Sequence, residues 1–312
     1  MARLKAVADV TLNADPLHIV TQDELLNAAR EHDIIFCLLH DKIDADVISA
    51  NPALKAIASM TITPADIDTQ AAAARNLPVT VIPALLLNDA TADMAWSLLM
   101  ATARRVVEGA NTMRAGIFPG SQSNYLEGAN VSRKTLGLIG AGGVGAAMAQ
   151  RAHGFSMKII YHDPRHLSPE KEQELGATWV TFDDVFKQAD FVSLHVQLTP
   201  QTRHLVGVPQ LALMKTSAYL INSARGPIVD ELALVAALNE KRIAGAGLDV
   251  YEHEPTPHPD LLTMNNVVCT PHMGSATREL REAMANTVVD NILAVLAGKP
   301  ALHAWHGSPY RS

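Results

Sequence analysis

The sequence contains only two cysteines, no apolar stretch long enough to cross a bilayer, and no run rich in lysine or arginine. Each shortage excludes something. Cys37 and Cys269 stand in the apolar runs DIIFCLLH and NNVVCTPH rather than in a spaced framework, so reduced, buried thiols and a cytoplasmic setting are expected instead of a disulfide scaffold. No run approaches the roughly 18 apolar residues of a spanning helix. The opening MARLKAVADV breaks its apolar character at Asp9, so neither a membrane segment nor a signal peptide is expected. A formal net charge of -7 without a basic run leaves no electrostatic footprint for a nucleic-acid backbone, although a local basic pocket for a small anion is compatible with it. The 13 histidines invite a metal reading, yet neither H-E-x-x-H nor a Cys/His ligand spacing occurs, and no metal site is expected. Ser223 in INSARG lacks the G-x-S-x-G turn of a nucleophile elbow. Internal repeats and low-complexity tracts are absent as well.

What is present describes an ordinary globular protein. The 312 residues, 48% hydrophobic and 18% charged, suffice for about two domains. Short β-rich runs alternate with helical patterns: LKAVADV, then TQDELLNAAREH with Thr21 and Glu24 at capping-box spacing, then DIIFCLLH, and VTVIP after a further helix. That rhythm predicts an α/β fold with parallel sheets and crossover helices. TADMAWSLLMATARRVVEGA, Thr91 to Ala110, reads as one helix connecting two domains, followed by a loop with Gly116, Pro119, Gly120 and Gly128. A second alternating series starts with TLGLIG after Lys134, and RELREAMANTVVDNILAVLAG reads as a long helix able to return to the first lobe. The tail HAWHGSPYRS is expected to be loose.

The sharpest motif is TLGLIGAGGVGAAMAQRAHGFSMKIIYHDPR. Gly140, Gly142 and Gly145 form G-x-G-x-x-G directly after a strand pattern and at the start of a helical one, and Asp163 ends the next strand about 20 residues on. Gly140 allows the tight turn, Gly142 lets the backbone approach a pyrophosphate, and Gly145 lets the helix lie close on the strand. A carboxylate at Asp163 accepts hydrogen bonds from ribose hydroxyls and repels a 2'-phosphate, which favours NAD(H). Arg165 and His166 nearby leave the strictness of that preference open.

Further islands follow: ADFVSLHVQLTPQTRHL, LINSARGPIVDELAL, AGAGLDVYEHEP and CTPHMGSAT. Arg225 stands at the end of the strand AYLIN among small residues, where a parallel sheet holds its ligand, and an arginine there can fork onto a carboxylate and polarise a carbonyl. Glu254 and His272 both lie in turns after strand patterns and are expected at the same edge. Taken singly, one is an ordinary surface acid and the other a turn residue. Together, downstream of a dinucleotide site, they read as a general acid with its orienting carboxylate, because a carboxylate beside an imidazole stabilises the imidazolium and fixes its tautomer.

With those islands in view, the chain resembles the D-isomer-specific 2-hydroxyacid dehydrogenases, from about Leu54 to about Leu296, with NDATADMAWSLLMATARR, GLIGAGGVG and TPHMGSAT among the matching segments. The resemblance implies two Rossmann-like or flavodoxin-like lobes with a cleft that closes on ligand. Residues 1–98 with 284–312 would bind substrate, 99–283 would bind NAD(H), and the chain would form a homodimer. It implies that Arg225 binds the substrate carboxylate and keto oxygen, that His272 is the acid and base, and that Glu254 orients it. Glu254 is assigned rather than Glu252 because the family's acid stands five residues after the aspartate matched by Asp249. The positions expected to line the cofactor are Gly140, Gly142, Gly143, Val144, Gly145 and Asp163, with Thr91, His195, Gln197, Thr202, Ser223, Ala224, Asp249 and Gly274.

Two departures bear on substrate. Where the family has a glycine-rich turn whose amides hold the carboxylate, this chain reads SMTITPADID, with Thr61, Ile62 and Thr63. Threonine lacks glycine's freedom of φ, and Pro64 pushes Thr63 further into the extended region. Ile62 and Thr63 still offer amides, and the threonine hydroxyls are expected to add donors. Gln197 stands where the family usually has proline, and is expected to add a polar contact near the ribose. The expected activity is reduction of a small 2-oxo acid, glyoxylate or hydroxypyruvate, to the D-2-hydroxy acid. The alternatives are an NAD-sensing binding protein like the C-terminal binding protein corepressors, and a phosphite-type dehydrogenase, whose anion-binding lysine SMTITPADID lacks.

Overall fold

A computed structural model of the protein describes every residue except Met1, Ala14, Pro16, Ala65 and 307–312. The chain divides into two units, Met1–Leu86 with Thr277–Ser312, and Leu87–Ala276. The boundaries expected near 98 and 284 therefore move. Both would have cut a helix, Asn88–Ala103 or Arg278–Leu296, and each helix stays whole within one unit.

In the first unit, strands β1 (Ile34–Cys37), β2 (Ala56–Ser59) and β3 (Val79–Thr80) pair in parallel in that order. Their side chains pack with Ile43, Val47, Ile48 and Leu54 into one core. The capping box at Thr21 and Glu24 forms as the spacing predicts, Thr21 N donating to Glu24 Oε2 at 2.8 Å and Glu24 N to Thr21 Oγ1 at 3.3 Å. Two expectations fail here. LKAVADV supplies no strand: Ala2–Lys5 is helical, and its one buried side chain, Leu4, gives no alternating face to bury. The tail is not loose as far as it is described, because Trp305 packs on this core and its N–H donates to Val79 O at 2.8 Å. Residues 307–312 of HAWHGSPYRS lie outside the described residues.

The second unit holds seven parallel strands, β4 (Thr135–Ile139), β5 (Lys158–His162), β6 (Ala177–Trp179), β7 (Phe191–Leu194), β8 (Tyr219–Asn222), β9 (Gly245–Leu248) and β10 (Val267–Cys269). Their order is β10-β9-β8-β7-β4-β5-β6, so the winding reverses between β4 and β7. Helices cover both faces, which explains why the central strands are apolar throughout rather than alternating. An open sheet of this kind leaves a crevice at the carboxyl ends of its strands where the order reverses. The expected single helix from Thr91 to Ala110 is two, Asn88–Ala103 and Val106–Arg114. They break at Arg105, whose φ is 51° and whose guanidinium is held on Glu108 at 2.7 and 2.8 Å.

Candidate active site

The turn after β4 sits at that reversal. Gly140 has a φ of 91°, and a Cβ there would lie 2.5 Å from the carbonyl oxygen of His195, which follows β7. Only glycine fits both conditions. Gly142, by contrast, faces open space, and Gly143 and Val144 begin the helix Gly143–His153, so its first amides have no carbonyl behind them. A cavity of about 330 Å³ opens at this turn, lined by Gly142, Gly143, Asn88, Asp89, Gln150 and Lys171. Sequence reasoning missed Asn88 and Lys171, neither of which belongs to a recognisable spacing; Asn88 is packed directly against Gly143.

Asp163 follows β5. Its Oδ2 accepts from Ala141 N at 3.2 Å and its Oδ1 from Arg165 N at 3.1 Å, so the carboxylate is fixed against the glycine turn. The His166 ring stacks on Trp179 at 4.2 Å, and the indole N–H donates to Asp163 O at 3.2 Å. An open anion-binding helix start, a glycine that cannot be replaced and an acid at the next strand's end together fit a dinucleotide.

His195 exposes part of its surface, but both ring nitrogens are buried without a hydrogen-bond partner among the described residues. That burial pushes its pKa from 6.5 down to about 3, and the ring is neutral at ordinary pH. In the loop that follows, Thr202 Oγ1 donates to Gln197 O at 2.5 Å and accepts from Thr199 N at 2.7 Å. Ser223 Oγ, just after β8, is buried with no hydrogen-bond partner among the described residues, and Ala224 N donates to Asn222 Oδ1 at 3.1 Å. Arg225 is extended and half-buried, with Nη1 donating to Ala224 O at 2.6 Å.

The turn after β10 is held by a set of hydrogen bonds to one acid. Asp249, fully buried after β9, accepts from Thr270 Oγ1 at 2.6 Å, Met273 N at 2.8 Å and Gly274 N at 2.7 Å. Its carboxylate thereby folds residues 270–274 around itself, with Thr91 against Gly274. This holds His272 at a φ of 49°, sparsely populated for a residue with a side chain, while its N–H is shared between Asp249 O at 2.9 Å and Thr270 O at 3.0 Å. The imidazole Nδ1 then lies 2.7 Å from Glu254 Oε2, and Glu254 Oε1 accepts from Tyr251 N at 3.1 Å. The side chains of His272 and Glu254 are 25% and 14% exposed, a partly desolvated pair. Glu252, the rejected alternative, faces Arg203 and His204 instead.

Ile62 and Thr63 belong to the first unit. The expectation that the threonine hydroxyls add donors is corrected for Thr61: its Oγ1 donates to Thr63 O at 2.7 Å and lies 2.6 Å from Ser59 Oγ. The hydroxyl is spent on bracing the turn. Among the described residues, neither the Ile62 nor the Thr63 amide donates to a backbone carbonyl.

The chain is similar to known proteins along most of its length. Residues 96–274 match the family described as D-isomer specific 2-hydroxyacid dehydrogenase, NAD binding domain. The glyoxylate reductase of Thermococcus litoralis is 45% identical over 279 residues, covering 88% of this chain and 84% of that protein. A glyoxylate reductase structure from Paecilomyes thermophila superposes with a TM-score of 0.78 at 34% identity, covering 90% of this chain and 88% of the other. The D-lactate dehydrogenase of Aquifex aeolicus complexed with NAD and lactic acid gives a TM-score of 0.80 at 26% identity, covering 95% and 91%.

Proposed function

We propose that this chain, which belongs to the D-isomer specific 2-hydroxyacid dehydrogenase family and uses NAD(H), reduces glyoxylate and similarly small 2-oxo acids such as hydroxypyruvate to their 2-hydroxy acids. The contact between His272 Nδ1 and Glu254 Oε2 at 2.7 Å carries the mechanism. Bound NADH supplies the hydride. With Nδ1 turned to the carboxylate, His272 exchanges its proton through Nε2, giving it to the substrate oxygen in reduction and taking it back in oxidation. Glu254 offsets the positive charge of the imidazolium before transfer. Arg225, whose Nη1 donates to Ala224 O, has the planar guanidinium that suits a carboxylate and keto oxygen.

The cofactor contacts we assign are Gly140, Gly142, Gly143, Val144 and Gly145 at the phosphates and Asp163 at the ribose, with Thr91, His195, Gln197, Thr202, Ser223, Ala224, Asp249 and Gly274 around them. The turn at Ile62 and Thr63 is assigned to the substrate carboxylate on the strength of its two amides. A β-branched residue where the family has glycine favours a substrate with little or no side chain, which supports glyoxylate first.

We also assign the chain to the cytoplasm and to a homodimer. Burial pushes the Cys37 thiol up to about 12 and keeps it inert, as suits a reducing compartment. Val106, Val107, Met113, Ile117 and Phe118 are all exposed in and just after one helix, an apolar surface suited to a second copy. NADH oxidation with a panel of 2-oxo acids tests the function. Turnover of glyoxylate supports it, and NADH binding without turnover of any member points to a binding protein instead.

A further inference from the structure

Glu231 opens the helix Glu231–Asn239, a place where an acid is ordinarily a solvated side chain favoured by the helix dipole. Here it is 8% exposed, and its carboxylate turns away from its own helix. Oε2 accepts from Glu252 N at 3.0 Å and Oε1 from His258 N at 2.7 Å. Those two amides are the ends of a loop without helix or strand, and Glu254 stands inside it. Glu252 returns the contact, Oε2 accepting from Glu231 N at 3.3 Å, while its Oε1 takes Arg203 Nη2 at 3.0 Å and His204 Nε2 at 2.6 Å. Burial alone would raise the Glu252 carboxyl. The hydrogen bonds from His204 and the Glu231 amide, with the charges of His204 and Arg203, outweigh it and hold the group below the ordinary value of 4.5, so it remains an acceptor. On the other side, the backbone at Gly226 presses so closely on Tyr251 and Glu252 that a Cβ there would overlap the Tyr251 carbonyl.

We infer that Glu231 is a positioning residue for the reaction: its carboxylate pins both ends of the 252–258 loop and so holds Glu254 at His272. The inference rests on the roles proposed above for Glu254 and His272. Within the loop Thr256 N donates to His253 O at 2.7 Å, and Tyr251 N, beside the Glu252 anchor, donates to Glu254 Oε1 at 3.1 Å, so moving the anchored ends moves Glu254 with them. A displacement on the order of 1 Å at such a group is enough to cost about a hundredfold in rate. Glutamine at 231 keeps one acceptor but turns an N–H₂ toward an amide that also donates, which releases one end of the loop.

The test uses the full chain with Glu231→Gln, and Glu231→Asp as a shorter acid that reaches only one of the two amides. The expected result for Glu231→Gln is a kcat for glyoxylate reduction lowered by about tenfold to a hundredfold with KM for NADH within about twofold. Hydrogen exchange in a peptide covering 251–259 should accelerate by about tenfold or more in the cofactor-free protein, a readout independent of turnover. Glu231→Asp should show both effects in smaller degree. In a Glu254→Gln background, Glu231→Gln should cost little more, because the group it positions is already gone. Unchanged exchange, or the same loss of kcat in both backgrounds, overturns the inference and leaves Glu231 a general stabiliser. If Glu254→Gln alone leaves kcat untouched while exchange in Glu231→Gln accelerates, the catalytic role of Glu254 is what fails, and the positioning role falls with it.

Discussion

His272 Nδ1 and Glu254 Oε2 stand 2.7 Å apart across a separation of 18 residues, each on a turn that another acid holds in place. Asp249 shapes the turn of His272, and Glu231 ties the ends of the loop that carries Glu254. Replacing Glu254 by glutamine removes the charge but not the shape. His272 then loses the charged partner at its Nδ1, so kcat for glyoxylate reduction should fall by about tenfold or more while NADH binding stays within about twofold. Steady-state kinetics and NADH titration of the two proteins check this, and an unchanged kcat contradicts it.

Asp163→Ser should lower kcat/KM with NADH and raise it with NADPH. The change removes an acceptor for ribose hydroxyls and a charge that repels a 2'-phosphate, at a carboxylate fixed by Ala141 N and Arg165 N. Steady-state kinetics with both cofactors measure it. A wild type that prefers NADPH contradicts the assignment.

Arg225→Lys keeps the charge and loses the fork. Catalytic efficiency should fall by roughly a hundredfold or more, in line with about 3 kcal/mol for charged hydrogen bonds. Near-normal turnover of this variant would place Arg225 outside the substrate site.

Thr61→Val removes the hydroxyl that braces Ser59 and Thr63 while keeping the branched shape. KM for glyoxylate should rise by about tenfold with a smaller change in kcat, the scale of one or two hydrogen bonds. Thr61→Ser should stay near wild type. Equal KM values for all three proteins would show that the turn does not hold the carboxylate.

The buried ring nitrogens of His195 predict a stability effect with a definite sign. The folded chain keeps this imidazole neutral down to about 3, whereas the unfolded chain protonates it below about 6.5. Its contribution is therefore fully present above 6.5 and is lost as pH falls from there toward 3. His195→Asn should flatten the decline of Tm across that window, as measured by calorimetry without cofactor. An unaltered slope would mean that the ring is protonated in the folded chain.

The sequence was most legible where one residue type has one physical use. Gly140 before a helix and Asp163 after the next strand located the turn at the sheet's reversal, and the spacing of Thr21 and Glu24 located a capping box. It was least legible where tertiary contacts decide. The break at Arg105 depends on an arginine taking a left-handed backbone with Glu108 at hand, and nothing in TARRVVEG marks it. LKAVADV has the composition of a strand but only Leu4 to bury, and Trp305 is fixed by a core that its own segment does not reveal. Glu231 looks like any acid at a helix start until its two amide partners, 21 and 27 residues away, are seen.

The most direct test compares NADH-dependent glyoxylate reduction by the wild type and His272→Ala, with NADH binding followed separately by fluorescence. If His272 delivers the proton, the variant should bind NADH as the wild type does and lose kcat by roughly a hundredfold to ten-thousandfold, the usual span for a positioned acid. Turnover of His272→Ala within a few-fold of the wild type would show that the imidazole at this turn moves no proton.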